Sequence, residues 1–272
     1  MTGAEAVNRE LLAAIEEKRM LVLATVVRAE GPGAPAVGTK LLVDEQHHTT
    51  GSLGDAALDA RVIEDALRAM AERKSRVVPY PLGDGAAPQG QVEVFLEVVE
   101  PQPTLVIVGA GHIAVPLARL GKMLGFEVIV IDDREKFANR ERFPDADQVI
   151  AADFGPTLAQ LKITRSTYIV IITRGHQYDE EALMEVVDSP AAYIGMIGSR
   201  RRVQAVRNNL ADVGIDPAKL DRVYAPIGLE IGAETPEEIA VSIIAEIIAV
   251  RRGGRGLPMS EIARSRELRI RR

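Results

Sequence analysis

The apolar positions of this chain follow two different periods in turn. Between residues 5 and 19, Leu11, Leu12 and Ile15 fall at helical spacing with charges between them. LVLATVVRA, starting at Leu21, is rich in β-branched residues and predicts a strand. GPGAPAVG, residues 31–38, reads as a loop punctuated by Gly and Pro, and KLLVD predicts a second short strand. GSLGDAALDARVIEDALRAMAER predicts a helix with Leu58, Val62, Ala66 and Met70 on one face. Residues 79–90 read as a Pro/Gly loop, and QVEVFLEVVE alternates as a half-buried strand does. Pro101 and Pro103 then break the pattern and mark a domain boundary.

Beyond that boundary the pattern changes. TLVIVGAG, EVIVIDD, DQVIAAD, TYIVIIT and AAYIGMIG are near-continuous apolar runs with helical segments between several of them. Such runs suit strands buried on both faces of a parallel sheet. The expected fold is α/β: a C-terminal Rossmann-like doubly wound parallel sheet with a smaller N-terminal α/β domain. The expected boundaries are 1–103, 104–252 and a basic tail over 253–272. Thr235-Pro236-Glu237-Glu238 signals a helix start, with an N-cap, Pro at the first helical position and Glu three after the cap. Ile239, Ile243, Ile244, Ile247 and Ile248 give that helix a broad apolar face, and Ser242 and Glu246 share another. The turn Pro226-Ile227-Gly228-Leu229 before it reads as a shaped loop, either a ligand wall or a connection.

Charge sharpens the division. Residues 1–103 hold 10 basic and 16 acidic side chains, while the remainder hold 23 of each. The tail from Arg251 carries eight Arg and two Glu, the composition of a solvated arm, with a docking surface for an acidic partner as the competing reading. A net charge of −6 and a pI near 5.4 argue against a nucleic-acid binder, and 4% aromatic residues with no Trp argue against a base-stacking platform. The absence of cysteine excludes disulfides, thiolate metal ligation and a cysteine nucleophile among these 272 residues. No stretch approaches the ~20 apolar residues of a membrane span, and the charged start lacks a signal-peptide core. The expectation is a cytoplasmic protein that engages neither membrane nor nucleic acid, with a homodimer as the commonest assembly.

Gly109-Ala110-Gly111-His112-Ile113-Ala114 spells G-x-G-x-x-A between a predicted strand and helix. The first Gly allows a tight turn and the second allows close approach of a pyrophosphate. The third small residue lets helix and strand pack, and the N–H groups of the helix start face the anion. Asp132 follows the first Gly by 23 residues, near the offset of a ribose-binding acid; an acid there disfavours a 2′-phosphate, although nearby Arg134 keeps NADP open beside NAD. On this reading Asp132→Ala weakens only ligands that carry a ribose. A ligand-free tight turn is the competing reading of the loop.

Thr173, Arg174 and His176, with Asp179 beyond, follow the fourth apolar run; Gly198, Ser199 and Arg200 follow the fifth. Ligands of such sheets bind beyond the carboxyl ends of the strands. His112 and His176 would end neighbouring strands and, with Asp179, are the candidate metal ligands. Their competing roles are an exposed helix start and a turn cap. Arg200 and Arg201 could hold a phosphate or form a solvated patch.

These motifs, in this order from about Leu105 to Arg251, resemble the xanthine dehydrogenase accessory factor (XdhC/CoxI) family: LVIVGAGHIAVPLARLGKMLGFEVIVIDDR, TRGH, YIGMIGSRRR and PIGLEIGAETPEEIAVSIIAEIIAVR. GPGAPAVGTKLLV and GSLGDAALDARVIEDA resemble the family's first domain less closely. The resemblance implies a maturation factor that binds molybdenum cofactor, as molybdopterin or its dinucleotide form. It also implies support of sulfuration by a cysteine desulfurase and delivery to an apo molybdenum hydroxylase of the xanthine dehydrogenase or carbon monoxide dehydrogenase type. Such a chaperone needs no catalytic residue, and none is assigned. An NAD(P)-dependent oxidoreductase and a nucleotide-sensing adaptor are the alternatives for the same cleft. One departure is evident: many relatives carry a Gly-Gly-Gly-Cys-like segment where this chain has Gly51-Ser52-Leu53-Gly54-Asp55-Ala56.

Overall fold

The computed structural model describes residues 3–83 and 90–261. The chain divides into two compact units, Met1–Pro101 and Gln102–Arg272.

The first unit runs α1 (Gly3–Glu16), β1 (Leu21–Glu30), β2 (Lys40–Asp44), β3 (Thr49–Gly51), α2 (Ala56–Glu72), β4 (Arg76–Leu82) and β5 (Gly90–Val99). The strands form an antiparallel sheet in the order β3-β2-β1-β5-β4. The alternation of β1 divides its side chains between two cores. Val22, Ala24 and Val26 pack with Leu58, Val62 and Ala66 of α2, while Leu21 and Leu23 pack with Val7 and Ala14 of α1.

Two expectations for this unit are corrected. The helix predicted from residue 51 begins at Ala56, because the Asp55 carboxylate caps it by accepting from Leu58 N; Thr49–Gly51 instead pairs with β2. The predicted loop from Pro79 is strand as far as Leu82. Prolines 79 and 81 are accommodated because β4 is an edge strand, where a missing N–H has no ladder partner to lose. The rest of that predicted loop, residues 84–89, lies outside the described residues, as does the basic tail beyond residue 261.

Among the described residues the second unit holds six strands: β6 (Thr104–Val108), β7 (Glu127–Asp132), β8 (Gln148–Ala151), β9 (Thr167–Ile171), β10 (Tyr193–Met196) and β11 (Val223–Tyr224). Its helices are α3 (Ala114–Met123), α4 (Phe154–Gln160), α5 (His176–Val186), α6 (Arg200–Asp212), α7 (Pro217–Leu220) and α8 (Pro236–Arg252). The strand order is β11-β10-β9-β6-β7-β8 and every pair is parallel. The order reverses between β6 and β9, which defines the topological switch point.

Both faces of this sheet are covered. Leu105, Ile107, Val128 and Val170 pack against α3 and α8, whereas Val106, Val108, Ile129 and Ile171 pack against α4, α5 and α6. Each fully buried Leu, Ile or Val contributes about 1.5–3 kcal/mol. The two-sided burial of β6, β7, β9 and β10 explains why they read as continuous apolar runs; β8, at the sheet edge, has no fully buried residue. β11 leaves no such signal, because two residues give no run to read. The helix start at Thr235 is as expected, with a complete capping box to Glu238, and α8 ends on the left-handed Gly253. Among the described residues no helix is long and apolar enough to cross a membrane.

Candidate functional site

The glycine loop leaves β6 at the switch point. Gly109 has φ +103°, and a Cβ there would lie 2.6 Å from the Ile172 carbonyl oxygen at the end of β9. Packing alone therefore demands glycine at this position. Gly111 is different. It has no positive φ, and a Cβ there would meet nothing within 4 Å. Ala114, the first residue of α3, is fully buried in the core between that helix and the sheet. Ile113 is the N-cap of α3 and supplies no side-chain cap, so the first N–H groups of the helix keep their anion-binding capacity. At the end of β9, Gly175 is the N-cap of α5 and likewise supplies no side-chain cap, while Thr173 Oγ1 accepts from Gly175 N at 3.4 Å and donates to Gly175 O at 3.1 Å.

Asp132 sits beside this loop, 1% exposed. Its Oδ2 accepts from Ala110 N at 2.7 Å and Arg134 Nη2 at 3.0 Å; its Oδ1 accepts from Arg134 Nε at 2.8 Å and Arg134 N at 3.1 Å. Four donors fill the four acceptor positions of a carboxylate. Asp132 thus braces the glycine loop and offers no free acceptor to a ribose hydroxyl, whatever its distance along the chain from Gly109. Its hydrogen bond to Arg134 raises the pKa of that guanidinium, which stacks 3.8 Å from the Phe137 ring centroid. Arg142 braces the loop through its carbonyl groups, donating to Ala110 O at 2.6 Å and also to Phe137 O at 3.0 Å.

Arg174 does not face the loop as a free cation. It makes a two-pronged ion pair with Asp133 at 2.5 and 2.6 Å, stacks over Tyr178 and donates to the Tyr178 hydroxyl at 2.6 Å. The Arg174 guanidinium holds the Asp133 carboxyl below its ordinary pKa, and Asp133 raises that of Arg174. Thr173 Oγ1 donates to Asp179 Oδ1 at 2.5 Å, and the other Asp179 oxygen pairs with Arg202. Asp179 has no exposed surface. Burial pushes its carboxyl above the ordinary range, against the opposing pull of Thr173 and Arg202.

The three candidate metal ligands are not brought together. Asp179 is committed to Arg202 and Thr173, while His112 and His176 are both exposed although β6 and β9 are neighbours. Among the described residues no group of three His, Asp or Glu side chains could hold a metal. His112 lines a cavity of about 510 Å³ with Arg119, Arg142 and Val241.

At the end of β10, Ser199 caps α6 by accepting from Arg202 N at 3.3 Å. Arg200 is exposed and has no ion-pair or hydrogen-bond partner among the described residues. A cavity of about 530 Å³ opens here. Its walls include Ile197, Ser199, Arg200, Leu229, Ile231 and Ile239. The loop from Pro226 to Ala233 forms one wall and is fastened to α8. Glu246 accepts from Gly228 N at 3.0 Å and from the buried Tyr193 hydroxyl; Ser242 Oγ donates to Leu229 O at 2.6 Å. The Pro226-Leu229 turn is therefore a cavity wall, and the face shared by Ser242 and Glu246 is what holds it.

Sequence reasoning missed Asp133, Arg142 and the fastening role of Glu246. The Asp132-Asp133 doublet held the first signal, but spacing favoured Asp132. Arg142 had none, since it lies 31 residues from Gly111 with no motif of its own.

Comparison with known proteins adds a family. A model of the XdhC Rossmann domain matches residues 105–247, and a model of the XdhC and CoxI family matches residues 14–81. The chain is 32% identical over 248 residues to Uncharacterized protein YqeB of Escherichia coli (strain K12), covering 89% of this chain and 45% of that protein. It is 38% identical over 159 residues to a probable xanthine dehydrogenase subunit from Bacillus subtilis (strain 168), covering 58% of this chain and 46% of that protein. The chain thus spans under half the length of these curated relatives. A crystal structure described as a xanthine dehydrogenase from Bacillus halodurans superimposes with a TM-score of 0.51. It is 24% identical, covering 93% of this chain and 96% of that one, a likeness of fold.

Proposed function

The chain belongs to the XdhC and CoxI family, and from that premise we propose that it is an accessory factor for a molybdenum hydroxylase of the xanthine dehydrogenase or carbon monoxide dehydrogenase type. It binds molybdenum cofactor as cargo and delivers it to the apo-enzyme, with a cysteine desulfurase as the partner in sulfuration. It works as a cytoplasmic homodimer and is a carrier rather than a catalyst. The Bacillus subtilis relative, by its description as part of a probable xanthine dehydrogenase, supports the link to such enzymes.

The observation that carries the reading is Gly111. Glycine costs about 0.4–1 kcal/mol relative to alanine through unfolded-state entropy. No steric contact and no positive φ requires it here, yet it stands before an uncapped helix start. A phosphate approaching that backbone is what the missing side chain makes room for, and molybdopterin carries one. The residues at the crevice fit this end of the cargo. The metal end must be held without a thiolate from these 272 residues.

The nicotinamide-dependent oxidoreductase is less well supported, because Asp132 has no acceptor left for ribose. The adaptor alternative has no observation of its own. Native mass spectrometry with metal analysis, on protein purified without oxygen, tests the proposal. The expected result is a molybdopterin-type mass with molybdenum. A bound nicotinamide dinucleotide without molybdenum overturns it.

A further inference from the structure

The crevice of a doubly wound sheet has two halves, and a dinucleotide extends into both. Here the halves are unlike. On the β7 side the carboxylate of Asp132 is saturated, and the Arg174–Asp133 pair joins the residues just beyond β9 and β7. Because β6 lies between those strands, the pair spans the end of the strand that carries the glycine loop. Phe137 and Tyr178, two rings near this side, already carry the guanidinium groups of Arg134 and Arg174. A nucleoside entering there would have to displace these contacts.

The β10 side is open. Its cavity of about 530 Å³ falls within the size range of small-ligand sites. Ile197, Leu229, Ile231 and Ile239 supply apolar surface, while Ser199 and the unpartnered Arg200 supply donors. The wall is preformed, since Glu246 and Ser242 fasten it to α8. β6 and β10 are separated by β9 alone, so their ends lie ~10 Å apart, within the span of a phosphorylated bicyclic or tricyclic heterocycle.

We propose that this cavity is the subsite for a fused heterocycle with a planar, carbonyl-bearing pyrimidinone edge, whose single phosphate rests on the glycine loop. Arg200 reads the carbonyl edge with its planar guanidinium, and the isoleucine and leucine side chains cover the ring faces. A ligand extended by a nucleoside beyond that phosphate is disfavoured, because its extra half points at the closed side. The choice of molybdopterin as that ligand rests on the delivery reading; the subsite rests on the geometry.

The test is equilibrium binding to the full chain, without oxygen, of molybdopterin cofactor and of its cytidine dinucleotide form, with Arg200→Ala and Ala233→Phe beside wild type. Arg200 is exposed and unpartnered, so its variant keeps the fold even where the cavity-filling Phe does not. The expected result is binding of the single-phosphate form about tenfold tighter than the dinucleotide, and about tenfold weakened by Arg200→Ala. Equal or tighter binding of the dinucleotide overturns the proposal, as does indifference of both variants. Should neither cofactor form bind, the delivery reading falls by itself. Flavin mononucleotide and GMP against NAD then decide the subsite: their preference, lost in Arg200→Ala, sustains it. A preference for NAD, or no binding at all, removes it.

Discussion

Arg174, just past β9, donates to both carboxylate oxygens of Asp133, just past β7, and the strand between them carries the glycine loop. The pair fixes charge across the mouth of the crevice. Asp133→Asn removes the carboxylate charge and loosens Arg174 for an incoming phosphate. Phosphate-bearing ligands should then bind several-fold tighter, read by equilibrium dialysis at two salt concentrations. Unchanged affinity would show that Arg174 does not face the anion. In wild type, Arg174 lowers the pKa of Asp133. The pair's contribution to stability is therefore present above the ordinary carboxylate range and is lost only as pH falls through the lowered value. Partial exposure keeps that contribution small.

Gly111→Val should leave the melting temperature nearly unchanged, since its Cβ points into open space, while phosphate-ligand binding is lost. Gly109→Ala should do the reverse in stability. Its Cβ meets the Ile172 carbonyl and its φ disfavours any side chain, at a cost of about 1–3 kcal/mol. Thermal denaturation and ligand titration of the two variants separate the roles.

Spacing alone predicts that Asp132→Ala weakens only ligands with a ribose. The structure changes that expectation. Removal of the carboxylate leaves Ala110 N–H and the Arg134 guanidinium without their partner, so the loop itself is disturbed. Molybdopterin and its dinucleotide form should lose affinity by a similar factor, and stability should fall by about 1–3 kcal/mol. Selective loss of the dinucleotide would restore the ribose role.

Arg202→Met tests the buried pair with Asp179. An uncompensated buried carboxylate costs about 3–5 kcal/mol. Burial already raises the pKa of Asp179, so the folded state holds its proton more tightly than the unfolded chain does. Its contribution is favourable below the unfolded value and declines as pH rises through the folded one. The variant should therefore be most destabilised near neutral pH and recover toward wild type in acid. Asp179→Asn in the same chain should recover much of the loss at pH 7. Denaturant melts across pH provide the measurement.

The parallel sheet was legible because strands buried on both faces leave apolar runs that no loop or surface helix imitates. Val106 and Val108 face one core, Leu105 and Ile107 the other. The capped helix at Thr235 was legible because capping chemistry is local. β4 was not, since Pro79 and Pro81 carry the same signal in a loop and on an edge strand; only pairing with β5 distinguishes them. At the site, spacing located Asp132 correctly beside the glycine loop. It could not reveal that Arg134, two residues on, occupies that carboxylate, nor that Arg174 reaches Asp133 across 41 residues. Positions along a strand are written in sequence; partners across the crevice arise only when the strands are ordered in space.

The two loop glycines also differ in what a lineage could do with them. Gly109 belongs to the architecture and would persist in any descendant that kept β6 beside β9. Gly111 is free of that obligation. A descendant that abandoned its ligand could replace it with alanine and gain stability. On the delivery reading, position 111 is thus an internal record of use: drift there, beside a fixed residue 109, would mark a member of the fold that no longer carries cargo.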